Sequence, residues 1–167
     1  MTMSFDNRNK SIQMPKPAVD PNDAQLILDA MSSEAGTPLK ARREMLQERF
    51  GDTPIPSSIV DAGLALAGDS DYRAIMIRQL TELRGVEMLP WIESLLDSPH
   101  LYEAARGAMA LLFIDESRSF AEIERLYREY RGRDREAGFY LGHFLSELRQ
   151  HGTFESVALI DKLIKLP

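Results

Sequence analysis

A few groups of residues in this chain of 167 residues have types and spacings that could do chemistry. Asp69-Ser70-Asp71 carries alternating carboxylates of the kind that hard cations accept as ligands. The same triplet stands just ahead of a helical pattern, where an Asp satisfies free N–H groups and opposes the helix dipole. Capping is the expected role. Asp115-Glu116 with Glu122 and Glu124 could pair carboxylates for acid–base work. Nothing around them marks either group as desolvated, so a solvated turn and helix face is expected instead. His143 and His151 lie eight residues apart, whereas zinc-binding helices use i,i+4 spacing with further ligand support. The chain has no Cys, which removes thiolate nucleophiles, disulfides and Cys-based zinc or iron–sulfur sites together. No catalytic residue, metal or cofactor is expected.

Two features resist so plain a reading. Arg125, Arg128, Arg131, Arg133 and Arg135 follow one another in a segment that also holds Glu124, Glu129, Asp134 and Glu136. Mixed signs at i,i+4 describe a salt-bridged solvent face; the alternative is a secondary binding edge for an acidic partner or a phosphate. Gly138, Gly142 and Ser146 fall four apart on one predicted helix, with Gly107 and Ala110 in the helical pattern before it. Each helical Gly costs about 1 kcal/mol relative to Ala. Close packing of a neighbouring helix would offset that cost, and so would a groove floor approached by a partner backbone. Trp91 falls beside Met88, Ile92 and Leu95 and is read as packing.

Composition narrows the classes. The chain is 44% hydrophobic and 28% charged, a globular balance with material for a real core. Its 20 Lys and Arg against 26 Asp and Glu give a net charge of −6. Both halves are acidic: ten basic against twelve acidic residues over 1–85, then ten against fourteen over 86–167. Non-specific nucleic-acid binding and polybasic membrane attachment both depend on positive charge and are disfavoured. The polar N-terminus reads as no secretory signal, the C-terminus as no lipidation box, and the longest apolar run, 108–114, is far short of a membrane span. A cytoplasmic protein is the expectation.

The elements that must position these residues are helices. Residues 1–19 form a polar N-terminal arm with Pro15 and Pro17, which favour extended chain. From 20 to 167 the apolar spacing is helical throughout, punctuated by Asp, Ser or Thr starts and Gly stops. Asp20-Pro21 opens a segment ending near Gly36, and Thr37-Pro38 opens one ending at Gly51. Ser57 or Ser58 caps a short helix to Gly68, and Asp69-Ser70-Asp71 the next, to Gly85. Then come Met88 to Leu96, Leu101 to about Glu116, a helix capped by Ser117 or Ser119, one capped by Asp134, and a last one from Thr153. About nine short helices and no credible strand predict an all-α protein.

The helices repeat in pairs. Ala74, Ala105 and Ala137 align at offsets of about 31 and 32 residues, each one turn into a helix; Met88, Phe120 and Phe154 open the matching preceding helices. Two helices per such period suggest stacked repeats. The clearest unit runs Met88-Leu-Pro-Trp-Ile-Glu-Ser-Leu-Leu-Asp97, then Ser98 to Ala105, then Arg106 to Leu112. It resembles the HEAT-repeat pattern: Pro90 matches the early proline, Asp97 the turn aspartate, and Ala104, Ala105 and Ala108 the small residues of the second helix. The Val-Arg pair of that family is replaced by Leu101-Tyr102, while Asp71-Tyr72-Arg73-Ala74 keeps it better. The resemblance covers roughly 56–166. It implies an α-solenoid of about four stacked HEAT-like helix pairs plus a C-terminal capping helix, behind the extended N-terminal arm.

In such a solenoid the second helices form an inner face suited to holding another chain. Arg78, Glu82, Arg106, His143, Glu147 and Gln150 are the outward positions on those helices. The expected function is protein–protein interaction on that face, with an inhibitor or immunity-type protein acting on a basic enzyme as one form of it. An enzyme or nucleic-acid-binding protein is the alternative: alkylpurine DNA glycosylases and bilin lyases are built from similar repeats. No basic groove or catalytic constellation is legible to support either, and the His-Glu pair of repeat-built metal hydroxylases is missing. A third possibility is an obligate subunit of a larger assembly, with Phe154 and Ile164 at the interface.

Overall fold

Helix signals and helix ends coincide closely along the chain. A computed structural model describes residues 18–31 and 37–167. The proposed arm lies outside the described residues except for its last two, as does the stop expected near Gly36. Nine α-helices are present among the described residues, and no strand: α1 (Pro21–Met31), α2 (Leu39–Phe50), α3 (Ser57–Ala65), α4 (Ser70–Arg84), α5 (Leu89–Leu96), α6 (Leu101–Ala110), α7 (Glu116–Tyr130), α8 (Arg135–His151) and α9 (Phe154–Ile164). The protein is all-helical. Among the described residues no helix is long and apolar enough to cross a membrane.

Side-chain caps start most of the later helices. Asp69, Asp115, Asp134 and Thr153 accept the N–H groups of Tyr72, Arg118, Ala137 and Ser156. Each such cap contributes about 1 kcal/mol. Three expected starts differ. Helix α2 begins at Leu39 with Pro38, not Thr37, in the cap position and no side-chain cap. Asp115, not Ser117 or Ser119, caps α7. Ser119 lies buried within the helix, where its hydroxyl donates to the carbonyl of Ala108 at 2.7 Å. Helix α3 begins at Ser57 directly after Pro56, with no side-chain cap. The pattern from Leu101 also breaks earlier than expected: α6 ends at Ala110 and a 3-10 turn takes over at Leu111–Phe113.

The apolar core is continuous from Ile27 to Leu163. Helix α6 lies at its centre, packed against α4, α5, α7 and α8. Its composition explains why four neighbours fit: Ala104, Ala105, Gly107, Ala108 and Ala110 are all buried. A Cβ on Gly107 would lie 3.0 Å from the Cβ of Leu95, so α5 crosses there at near-minimal separation. Along the other side of the molecule α1 packs on α3, where a Cβ on Gly63 would come within 2.5 Å of Ile27 Cγ2.

Polar links tie helices that are distant in sequence. The Trp91 indole N–H donates to Asp61 at 2.8 Å, Arg118 makes two bonds to Glu93 at 2.6 and 2.7 Å, and Lys162 donates to Glu124 at 2.7 Å. Arg84, nearly buried at the end of α4, donates to the carbonyls of Gly51 and Thr53 and pairs with Glu87. That one guanidinium fastens the loop after α2 to the end of α4.

Candidate functional site

Helices α4, α6 and α8 pack in succession, so the residues each leaves outward lie side by side. Arg78 and Glu82 are one turn apart on α4, as are Tyr102 and Arg106 on α6 and His143 and Glu147 on α8. The Arg78 guanidinium reaches past α6 to Glu147, with Nη2 2.5 Å from Oε2. Both side chains are about four-fifths buried, at 21% and 22% exposure, which sets this pair apart from ordinary surface ion pairs. The same guanidinium stands over the ring of Phe113 at 5.4 Å. Its Nε is buried without a hydrogen-bond partner among the described residues.

Four of the six expected partner-binding residues, Arg78, Glu82, Glu147 and Gln150, line one cleft of about 320 Å³, with Phe113 and His151. Arg106 joins them electrostatically. Its own burial, and then the nearby Arg78 charge, pull its guanidinium below the ordinary arginine range, against the opposing pull of Glu147, Tyr140 and Asp71. Two cations thus share a small set of anions. His143 stands apart from this cleft, edge-on to Phe139 with ring centroids 4.6 Å apart.

That contact belongs to an aromatic run not anticipated from the sequence. His100 stacks on Tyr102 at 5.7 Å, Tyr102 lies 6.3 Å from Tyr140, Tyr140 meets Phe139 at 5.5 Å, and Phe139 meets His143. Phe139 is 63% exposed, an unusual place for a large apolar ring. The Tyr102 hydroxyl shares a hydrogen bond with Ser70 at 2.8 Å, linking the starts of α6 and α4. Burial, then the charges of Asp71 and Glu136, raise the Tyr140 phenol above its ordinary pKa. The signal was present as a departure: Leu101-Tyr102 stood where the expected repeat pattern would have Val-Arg, and Phe139-Tyr140 falls outside the buried stripe of α8.

The glycines of α8 behave differently from that of α6. Gly138 and Gly142 are exposed and an added Cβ on either would meet nothing within 4 Å. Close packing among the described residues therefore does not account for them.

The arginine series divides. Arg125 pairs with Glu122 and Glu129, and Arg128 with Glu124, all on their own helix. These two form the salt-bridged face. Arg131 and Arg135 are exposed around the turn between α7 and α8, while Arg133 folds over the ring of Tyr130 at 4.4 Å. The five do not make a single basic surface.

Residues considered for metals are held in other roles. Asp69 caps α4, and His151 bonds to Glu116 with its ring edge against Phe120. Among the described residues no group of three or more His, Asp or Glu is placed to hold a metal ion.

Comparisons with models of known protein families, with curated proteins and with solved structures find no match for this chain. The functional reading therefore rests on geometry and chemistry alone.

Proposed function

We propose that the chain is a HEAT-like α-solenoid module that binds a partner protein on the face formed by α4, α6 and α8. The observation that carries this reading is the juxtaposition of arginines and half-exposed aromatic rings on that face: Arg78 and Arg106 beside Phe113, Tyr102, Tyr140 and Phe139. Arginine and aromatic side chains dominate the energetic centres of protein interfaces: aromatic rings bring large contact area at low entropic cost, and arginine brings several donors and a flat, stackable cation. The net charge of −6 favours a basic partner, and a basic enzyme held by an immunity-type inhibitor fits that chemistry.

The test is capture of partners from the native host lysate by wild type and by an Arg106→Glu, Phe139→Asp, His143→Glu variant shown by circular dichroism to fold. Glu147 is left intact because it holds Arg78. Loss of one specific protein with the variant supports the face. Retention of every protein, or recovery of nucleic acid with an affinity that falls steeply with salt, overturns it.

A second reading has its own observation. Phe154, Val157 and Ile164 on α9 are 84%, 52% and 57% exposed, spaced so that they share much of one face. An obligate subunit docked through α9 would cover them. Sedimentation velocity showing a lone monomer at micromolar concentration, in lysate as in buffer, would count against that reading.

A further inference from the structure

Three tyrosines from three separate helices converge on a cleft of about 220 Å³: Tyr102 from the first turn of α6, Tyr130 from the last turn of α7 and Tyr140 from α8. An apolar cavity of roughly 150 Å³ is enough to admit a benzene ring, so the space suits a side chain rather than a water or two. Asp134 and Glu136, from the start of α8, line the same cleft. Tyrosine faces attract cations that lie within about 6 Å of the ring centre. This fold already demonstrates it, because the Arg133 guanidinium sits 4.4 Å from the centre of Tyr130.

We propose that this cleft receives the cationic end of an arginine or lysine side chain presented by the partner protein, which lies against the exposed sides of Tyr102 and Tyr140 and competes with Arg133 for Tyr130.

The surroundings favour a cation over an anion. Asp134 spends one oxygen capping α8 through the N–H of Ala137 at 2.7 Å and so brings negative charge to that helix start, while the other helix start at the cleft, that of α6, carries Glu103 in its first turn. Asp71 and Glu136, whose charges disfavour a phenolate at Tyr140, favour a positive guest for the same reason and outweigh the opposing charge of Arg106 there. The Tyr102 ring is fixed in advance by its hydroxyl contact with Ser70 and its stacking on His100, which lowers the entropic cost of binding. The proposal rests on the partner-binding reading only for the identity of the donor, and the cleft's chemistry can be tested with the side chain alone.

The probe is N-acetyl-arginine amide, followed by the ring resonances of Tyr102, Tyr130 and Tyr140 in NMR, with N-acetyl-citrulline amide as its uncharged counterpart. Saturable shifts with the arginine compound and none with citrulline are expected. Tyr102→Leu and Tyr140→Leu should each weaken binding by about two- to five-fold. Arg133→Ala uncovers Tyr130 and should tighten binding by about the same factor. Arg131→Ala removes an equal charge two residues away without uncovering a ring, and should leave affinity nearly unchanged. Equal shifts from citrulline, no saturable shift, or equal tightening by Arg131→Ala and Arg133→Ala would each overturn the proposal. If arginine binding fails while partner capture still depends on Arg106 and Phe139, the cleft is wrong and the interaction face stands. If arginine binds the cleft while no partner depends on the face, the cleft stands and the interaction reading falls.

Discussion

The same substitution, Gly to Ala, should have opposite effects at two helical positions, and the difference tests the packing directly. Gly63 lies in α3 where that helix crosses α1. A Cβ there would approach Ile27 Cγ2 to 2.5 Å, Ile27 Cβ to 2.6 Å and the carbonyl oxygen of Ala24 to 3.1 Å. Ile27 is fully buried and stiff at its first torsion, so the clash falls on an atom that cannot swing aside. Overpacking costs roughly 1–3 kcal/mol, and approaches this short to a stiff side chain belong in its upper part, about 2–3 kcal/mol. The gain in helix propensity returns up to about 1 kcal/mol. Gly63→Ala should therefore destabilise by about 1–2 kcal/mol, lowering Tm by roughly 2–8 °C in a chain of this size. Gly142 sits mid-helix in α8 with open space where its Cβ would be, so Gly142→Ala should stabilise by up to about 1 kcal/mol. Urea unfolding followed by far-UV circular dichroism reads both, provided the slope m is unchanged. Combining Gly63→Ala with Ile27→Ala should cost clearly less than the two losses added, because the second change opens the space the first needs. A Gly63→Ala protein as stable as wild type would refute the close crossing of α1 and α3. A destabilised Gly142→Ala would refute the open face of α8.

Other perturbations separate the polar contacts by burial. Glu147→Gln should cost more stability than Arg78→Gln, by about 1 kcal/mol, because it leaves Arg78 and Arg106 facing each other with one anion fewer; paired chemical-denaturation curves measure the difference. Arg84→Met should destabilise by roughly 3 kcal/mol, since Glu87 and the carbonyls of Gly51 and Thr53 lose their donor together, and Arg84→Lys should recover only a part, a single ammonium being unable to serve all three. The Arg118 guanidinium, bonded to Glu93, holds that carboxyl below the usual carboxylate range against a smaller opposing effect of burial. A lowered carboxylate stabilises the fold above its unfolded pKa and loses that contribution as pH falls through the lower, folded value. Thermal unfolding of Glu93→Gln should therefore show a shallower acid dependence than wild type, with a modest difference because both partners are more than a third exposed.

The sequence made the helices legible because their signals are local. An Asp or Thr ahead of a helix, a Gly behind it, and apolar residues three and four apart each act within a few residues, and caps such as Asp69, Asp134 and Thr153 fall where they were expected. The errors are also local. Ser119 has the chemistry of a cap, but its hydroxyl has a buried carbonyl to satisfy in α6, and Asp115 four residues earlier was free to take the cap. Which side chains meet across helices depends on contacts that no local rule encodes. Arg78 and Glu147 are 69 residues apart, and only the successive packing of α4, α6 and α8 brings them together.

The two glycine populations show how function can be separated from architecture in such a chain. Gly63 and Gly107 stand where another helix needs the space of a side chain, so their type is explained by the fold. Gly138 and Gly142 stand where nothing in the described molecule needs that space, beside a phenylalanine that is left mostly exposed. Each of these choices is unfavourable for an isolated protein, and they occur within five residues of one another on one helix. Marginal stability tolerates such costs where another contact offsets them. The two kinds of position diverge around the helix: Phe139 leans toward the flank of α8 that carries Tyr140 and Glu147, and Gly138 and Gly142 lie on the opposite flank. Under the proposed interaction that exposed ring is the cost a partner would offset, so Phe139→Asp should weaken partner capture while leaving stability nearly unchanged.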